Sequence, residues 1–306
     1  MKKGIIILIF TLTFIGACDL ENDDNPPPDT QYECASTETV QNEFREIWYC
    51  YNEEGLVLRE IRNDYFGPFY ARETTTTWNR NDEKKVTSTL SVSVLSSKTT
   101  LFDTEENPVS YTENMAYGLL GDRSISAVIT DYDTTEETIR KVVETTANQT
   151  RTISFNPTGT PSSMAVSRNF GPTGERESVI QISASADTGL FIQTVERSLN
   201  RQKLTTCDED GIPVSMLTSN YYGPQNARSV SVDITASTQT GIIQTASESS
   251  DMGSRVIYFD DNGVPVLMTI DRNFGPAGAR EASLQITASA NTGLYIQSVE
   301  TNPLEE

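Results

Sequence analysis

Five arginines recur along the chain at a nearly constant spacing, and they are its best candidates for ligand binding. Each follows a glycine by five residues. A guanidinium group presents several N–H donors in a planar fork, so a ring or row of these arginines could hold sulfate, phosphate or carboxylate groups. Repetition in every unit is also what a folding constraint produces, and the preferred interpretation is that each arginine bonds the carbonyls of its own loop or pairs with a nearby acid. The five are Arg72, Arg123, Arg176, Arg228 and Arg280.

Aromatic residues precede the same glycines and give a second set of candidates. Tyr65 and Tyr221 stand beside the aromatic residues of two loops, where their rings could stack on sugars. The alternative, which is preferred, is that an aromatic residue before Gly-Pro closes the end of a hydrophobic core. The aromatic residues next to the glycines are Phe66, Phe170, Tyr222 and Phe274.

Several residue types that carry chemistry are missing or unplaced. Histidine is absent, which excludes Ser-His-Asp and Cys-His nucleophile systems and removes the commonest general base and metal ligand. Paired acids such as Asp208 and Asp210 sit in predicted hairpin turns, where aspartate is favoured for backbone reasons. A net charge of −20 opposes binding to nucleic acid. The sequence therefore predicts no catalytic residue, no metal site and no cofactor.

The arginines belong to five tandem repeats. The glycines of the aromatic-Gly-Pro step recur at positions 67, 118, 171, 223 and 275, a period of 51 to 53 residues, with Leu119 in place of the proline in the second copy. A second landmark runs in phase with them, at Gly55, Asn107, Gly159, Gly211 and Gly263. A fixed period near 50 indicates a propeller, a solenoid or an array. The sequence thus predicts one β-repeat domain over residues 34–302, with repeats at about 45–96, 97–149, 150–201, 202–253 and 254–302 and a short tail at 303–306.

Within each repeat the hydrophobic pattern has a period of two, which indicates strands. In the last repeat Val264, Val266 and Met268 alternate with smaller or more polar residues. The turn Asp261-Asn262-Gly263 has the residues of a tight hairpin, because asparagine and glycine tolerate positive φ. Each repeat is therefore predicted to be two hairpins, or four antiparallel strands, joined by the aromatic-Gly-Pro loop.

Two all-β architectures suit such repeats. In a five-bladed β-propeller each repeat is one blade, and four strands per repeat and five repeats make this the preferred prediction. In an open elongated β array or a two-layer sandwich, each repeat extends a sheet whose outer face meets water. The polar face of Ser283, Gln285 and Thr287 favours the second architecture. The turn around Asp260 also resembles the tyrosine-aspartate repeats of large shell-forming toxins, over a few residues and with different spacing.

The N-terminus, residues 1–17, has the layout of an export signal. Two lysines precede an apolar run over residues 5–15, which is too short to span a bilayer comfortably. Ile15-Gly16-Ala17-Cys18 resembles the lipobox of bacterial lipoproteins, and the resemblance implies cleavage before Cys18 and acylation of that cysteine. An acidic, Pro-rich tether follows over residues 18–33. Its acidic residues resemble a signal for the outer face of the outer membrane in some Gram-negative bacteria, with a simple flexible spacer as the alternative.

The other cysteines have structural interpretations. Cys34 and Cys50 are predicted to form a disulfide in an oxidising envelope, which would pin the segment before the first repeat to its first strand. Cys50 and Cys207 fall in register with Phe102, Phe155 and Phe259, so Cys207 is interpreted as a small core hydrophobe. No cysteine pair has the spacing of metal ligands.

The sequence favours a non-enzymatic outer-membrane lipoprotein, exposed on the cell surface, whose repeats form an acidic scaffold for a glycan or a protein partner. The runner-up is a carbohydrate enzyme on a propeller, because two carboxylates suffice for glycoside hydrolysis. Such a site should break the repeat at convergent acidic positions, whereas the departures in the first two repeats are charged turns. A purely structural envelope role is the third hypothesis.

Overall fold

The structure, a computed structural model, describes residues 16–17, 33–276 and 280–301. The predicted acylation of Cys18, nearly all of the tether and the C-terminal tail lie outside the described residues. The helices in the described part are single turns, and none is long and apolar enough to cross a membrane. They are three 3-10 turns at Phe69–Ala71, Leu120–Asp122 and Gln225–Ala227, and α1 at Thr173–Arg176.

Strands form most of the described chain. They are β1 (Gly16–Ala17), β2 (Ser36–Gln41), β3 (Arg45–Tyr51), β4 (Val57–Asp64), β5 (Glu73–Arg80), β6 (Val86–Val92), β7 (Ser96–Phe102), β8 (Pro108–Met115), β9 (Tyr117–Gly118), β10 (Ser124–Asp133), β11 (Thr138–Thr145), β12 (Gln149–Phe155), β13 (Pro161–Arg168), β14 (Glu177–Ala184), β15 (Phe191–Ser198), β16 (Arg201–Cys207), β17 (Pro213–Asn220), β18 (Ser229–Ala236), β19 (Ile243–Ser250), β20 (Gly253–Phe259), β21 (Pro265–Arg272), β22 (Glu281–Ala288) and β23 (Tyr295–Thr301). Each repeat contributes four long strands, and β2 is an additional strand before the first repeat.

The 21 strands β2 to β8 and β10 to β23 form one antiparallel sheet that curls into a half-barrel. Each strand pairs with its neighbours in chain order, and the short β9 pairs with β1 instead. The fourth strand of one repeat pairs with the first strand of the next, as where β11 places Glu144 opposite Arg151 of β12. The repeats are thus hydrogen-bonded to one another along the whole sheet.

The predicted five-bladed propeller is wrong. Propeller blades are separate sheets that pack face to face, whereas here every junction between repeats is a ladder of backbone hydrogen bonds. The array alternative, in which each repeat extends a sheet, has the observed connectivity. It is one curled sheet, not a two-layer sandwich.

The turn between the first and second strands has the same geometry in all five repeats. In the last repeat the Asp260 carboxylate accepts N–H bonds from Asn262 (2.8 Å) and Val264 (2.9 Å), and Gly263 has φ +61°. This side-chain cap explains why an Asx residue and a glycine recur three positions apart. We call these segments the capped turns: residues 52–55, 103–106, 156–159, 208–211 and 260–263.

Two register assignments made from the sequence are wrong by one residue. Glu106, and not Asn107, takes the glycine position of the second repeat, with φ +64°, because its capped turn begins at Asp103. Tyr51, and not Cys50, occupies the position of Phe102, since both lie at the bulge where the first two strands of a repeat diverge. Cys50 lies one residue earlier and is fully buried.

One face of the sheet is buried and the other meets solvent, as the period of two requires. On β18, Val232 and Ile234 are buried while Asp233 and Thr235 between them are exposed. The buried face carries three apolar clusters along the sheet. The cluster of the last two repeats contains Val232, Ile234, Ala246, Ile257, Met268 and Ile286.

The curl brings loops of the first two repeats against turns of the last two. The Phe69 N–H donates to the carbonyl oxygen of Thr238 (3.0 Å), and the Leu120 N–H donates to that of Ala290 (3.0 Å). Each loop therefore meets turns that lie three repeats later in the chain. We call this line of contacts the seam.

Candidate functional site

The aromatic-Gly-Pro loops connect the second and third strands of each repeat, and we call them the Gly-Pro loops. Their glycines have φ between +86° and +125°. A Cβ added at Gly67, Gly171, Gly223 or Gly275 would meet no atom within 4 Å. Backbone conformation therefore selects glycine here, because L side chains are strained in this region. The loops span residues 65–72, 116–123, 169–176, 221–228 and 273–280, of which 277–279 are not described.

All five predicted arginines are clamps on their own Gly-Pro loops. In each repeat the arginine Nε donates to the carbonyl oxygen of the loop glycine five residues earlier. This contact requires a donor on a long side chain at a fixed offset, which explains the constant spacing. The Nε to oxygen distances are 2.9 Å for Arg72, 2.8 Å for Arg123, 2.9 Å for Arg176, 3.0 Å for Arg228 and 3.2 Å for Arg280.

The first loop also binds a carboxylate across the seam. The backbone N–H of Gly67 and Nη2 of Arg72 both donate to Oδ1 of Asp210, at 3.0 Å and 3.1 Å. Asp210 belongs to the capped turn of the fourth repeat. We call this pair of donors, the glycine N–H and the arginine Nη2, the cradle. Charge-assisted bonds from two fixed donors make the cradle a receptor for an acidic side chain on a tight turn.

The second loop uses its arginine in the same way. Nη2 of Arg123 donates to Oδ1 of Asn262 (3.0 Å), which occupies in the fifth repeat the place that Asp210 has in the fourth. The seam is therefore built twice from the same parts. An amide oxygen accepts at one contact and a carboxylate oxygen at the other, so the two contacts share a side-chain acceptor oxygen.

The loops of the last three repeats, as far as they are described, share the arginine clamp but lie at an exposed edge. Arg176, Arg228 and Arg280 are exposed, and none of them forms an ion pair with another residue of the described ranges. We call these three loops the exposed loops. The aromatic residues of two of these loops are exposed, Tyr222 by 55% and Phe274 by 51%, and Phe170 of the third is half-buried, whereas Phe66 in the seam is 8% exposed.

The predicted stacking tyrosines, Tyr65 and Tyr221, lie on the first and the fourth Gly-Pro loops. Tyr65 is 46% exposed, and its hydroxyl accepts a hydrogen bond from Nε2 of Gln41 (2.9 Å). Tyr221 is 53% exposed, beside Tyr222 at 55%. The structure brings Tyr221 and Tyr222 together with Arg228 on one exposed loop, and it places Tyr65 at the first loop, away from these residues in sequence and beside the N-terminal strand β2.

A stripe of basic residues on the buried face was not predicted from the sequence. In the last four repeats one basic residue lies four positions before the bulge at the end of the first strand, at spacings of 52 or 53 residues: Lys98, Arg151, Lys203 and Arg255. Ile47 takes this place in the first repeat. In three repeats it faces a glutamate on the preceding strand, which gives the pairs Glu144–Arg151, Glu196–Lys203 and Glu248–Arg255. This common register was the signal that could have revealed the stripe.

The stripe is most deeply buried in the third repeat. Nη2 of Arg151 lies 2.6 Å from Oε2 of Glu144, and the two side chains are 6% and 0% exposed. The Tyr111 hydroxyl donates to the other carboxylate oxygen, and Lys98 Nζ lies 3.7 Å from the centre of the Tyr111 ring. Burial, followed by the charge of Glu144, raises the pKa of Tyr111, and burial lowers the pKa of Lys98. These groups hold one another in place on the inside of the sheet.

The half-buried Glu60 and the buried Asp64 have raised pKa values, as a general acid would require. Burial raises the pKa of Glu60 and of Asp64, and the nearby arginines Arg62 and Arg45 offset part of the rise. Both acids lie on β4 four residues apart, about 13 Å along a strand. Glycosidases hold their carboxyls about 5 to 9.5 Å apart, so these two do not have the spacing for that reaction.

The cysteines occupy defined positions. Cys34 and Cys50 are joined by a disulfide, which ties the segment before β2 to β3. Cys207 is a free, half-buried thiol at the end of β16. Burial, followed by the charge of Asp208, raises the pKa of this thiol to about 11, so it is a poor nucleophile at neutral pH.

No protein-family model matches the sequence, and no curated protein matches it. Similar solved structures include the Tc holotoxin pore of Photorhabdus luminescens, with 9% identity over 87% of this chain and 20% of the toxin chain, and a TM-score of 0.19. TcdB2-TccC3 without its hypervariable C-terminal region gives 8% identity over 87% of this chain and 17% of that chain, with a TM-score of 0.22. A porin-like protein from Bacteroides uniformis gives 11% identity over 87% and 92%, with a TM-score of 0.19. The chain spans about a fifth of the toxin chains, and TM-scores this low carry no argument about its fold or function.

Proposed function

We propose that this protein is a non-catalytic, lipid-anchored scaffold on the cell surface that binds a protein partner through its exposed loops. The observation that carries the proposal is the cradle of the first loop, which holds the Asp210 carboxylate between the Gly67 N–H and Arg72 Nη2. The exposed loops repeat the glycine and the arginine of that cradle. The anchor and the surface location rest on the lipobox resemblance at Cys18.

A protein partner fits the exposed loops better than a glycan does. In the seam, the loops bind a side-chain oxygen and also donate backbone N–H bonds to the carbonyls of an adjacent turn, as Tyr70 does to Gln239 (3.0 Å). The carbonyls that the first loop binds belong to the consecutive residues Thr238 and Gln239, and such a pair is a feature of a polypeptide turn. Three such loops side by side would bind a partner that carries several acidic turns, and linked weak contacts would reinforce one another.

The experiment uses a probe copied from the seam. A cyclic peptide of residues 207–214 carries the capped turn with Asp210, and a sulfated polysaccharide serves as the glycan probe. Binding of both is measured by calorimetry to the detergent-solubilised protein and to the triple variant R176A/R228A/R280A. We expect the peptide to bind the unmodified protein, and the triple variant to lose at least tenfold in affinity.

The controls separate the interpretations. A peptide with Ala in place of Asp210 should bind at least tenfold more weakly, because it lacks the acceptor for the cradle. Binding of the polysaccharide alone would replace the protein partner with a glycan. Binding of neither probe, or equal binding by the triple variant, would refute the exposed loops as the binding site.

A further inference from the structure

We infer that the partner of the exposed loops is a second copy of this chain, whose capped turns at the opposite edge of the sheet dock into the cradles so that copies stack head to tail. The inference rests on the proposed function and names the partner of the same site. Its template is the seam, where one edge of the sheet already binds the other within a single molecule.

The two edges of the sheet, by which we mean its two rows of strand ends and not its outermost strands, carry complementary groups. Gly-Pro loops lie at one edge, and capped turns lie at the other, because successive antiparallel strands reverse direction. In the seam the loops of repeats one and two meet turns of repeats four and five. Among the described residues, the loops of repeats three and four and the turns of repeats one to three make no contact of this kind, and they carry its two complementary halves.

The leftover capped turns carry the acceptor that the cradle binds. The position of Asp210, two residues after the capping Asx, is held by Glu54 in the first repeat and Glu105 in the second. Both glutamates are exposed, while Asp210 in the seam is half-buried. The backbone is the same, since the Asn52 side chain accepts N–H bonds from Glu54 (3.0 Å) and Leu56 (2.9 Å) in the way that Asp208 does in the fourth repeat.

The third repeat supplies the second kind of seam contact. Its turn over residues 185–190 closes with bonds from Ser185 N to Leu190 O (2.8 Å) and from Gly189 N to Ser185 O (2.9 Å). The turn over residues 237–242 has the same two bonds, at 2.7 Å each, and it presents to the first loop the carbonyls that the loop binds. The turn of the third repeat thus offers an equivalent pair of carbonyls at the unoccupied edge.

The charges of the turns and the cradles favour this pairing at short range. The net charges of the two copies repel each other at long range. The capped turns of the first two repeats are acidic, and the cradles are cationic. Glu54 is bound on its own edge by Lys84 Nζ (2.8 Å), so docking must exchange this exposed ion pair for the cradle. Each copy carries a net charge of −20, and salt at about 0.15 M screens that repulsion beyond about 8 Å. A contact between two different edges is heterologous, so it joins copies head to tail into a chain or a closed ring.

The test is a charge swap on the full-length lipoprotein in detergent, followed by sedimentation velocity at 0.15 M salt. The loop variant R176E/R228E reverses two cradles, and the turn variant E54R/E105R reverses two capped turns. We expect the unmodified protein to sediment as concentration-dependent multimers, and each variant alone to lose at least tenfold in association constant. An equimolar mixture of the two variants should associate again, because each reversed edge then meets an edge of opposite charge.

Two outcomes would overturn the inference. One is an unmodified protein that stays monomeric at 50 µM, and the other is a mixture of the variants that associates no better than either variant alone. The turn variant leaves every loop clamp intact, so it remains informative if loss of the Arg176 and Arg228 clamps disturbs folding. A monomeric protein that still binds the acidic-turn peptide would keep the proposed function and remove only self-docking, whereas failure of both assays would remove both.

Discussion

Removing Arg151 should destabilise the protein far more than removing Arg255, although the two residues occupy the same place in the third and fifth repeats. Arg151 is 6% exposed and its partner Glu144 is 0% exposed, while Arg255 is 48% exposed and its partner Glu248 is 17% exposed. The variant R151M leaves a carboxylate buried without its cation, which costs about 3 to 5 kcal/mol. The variant R255M breaks a solvated pair, which costs less than about 1 kcal/mol.

The difference is measurable by urea unfolding followed by circular dichroism. A loss of 3 kcal/mol or more lowers the melting temperature of a domain of this size by about 6 to 12 °C. The double variant E144Q/R151M should recover most of the loss, because no unpaired charge then stays buried. Equal effects of R151M and R255M, or a double variant as unstable as R151M, would refute the assignment of a buried, mutually dependent pair.

Three further expectations follow from the described contacts. Arg72→Ala should lower the free energy of unfolding by about 1.5 to 3 kcal/mol, because a charged seam contact is lost with the loop clamp. Arg228→Ala removes only a clamp and should lower it by about 1 kcal/mol. Equal losses in urea titrations would contradict the role of the seam. Burial alone would raise the pKa of Glu196, but neighbouring cations, Lys203 first, outweigh it and hold the pKa below its usual range. The stabilisation by ionised Glu196 is therefore present above the unfolded-state value and lost as pH falls through the lower folded value, so the stability gap between the unmodified protein and Glu196→Gln should shrink from pH 5 to pH 3, and a gap independent of pH would contradict this. With a pKa of about 11, Cys207 holds roughly 200-fold less thiolate at pH 8 than an unperturbed thiol. A more basic thiolate is also more nucleophilic, so alkylation by iodoacetamide should be about 20-fold slower than for a peptide cysteine. An equal rate would contradict burial of this thiol.

Local features of the fold could be predicted from the sequence because their causes are local. The capped turn at Asp260 and Gly263 depends on one side chain and one φ angle within a few residues. Alternation along β18 or β22 predicts strands with one buried face, since successive side chains point to opposite sides. The constant offset between Gly67 and Arg72 reflects a bond inside one loop. All of these signals occur within a single repeat, and their recurrence in five repeats makes them recognisable.

The tertiary structure decided how the repeats join and what each copy of a motif does. Pairing of β11 with β12 across a repeat boundary replaces a propeller by one sheet. The turn signals of a single repeat are compatible with either architecture, because both are built from antiparallel strands joined by short turns. Arg72 and Arg228 have the same local surroundings, yet only Arg72 holds a carboxylate, because the curl of the sheet brings a turn three repeats later against it. Long-range contacts of this kind depend on the curvature accumulated over many strands, which no short stretch of sequence specifies.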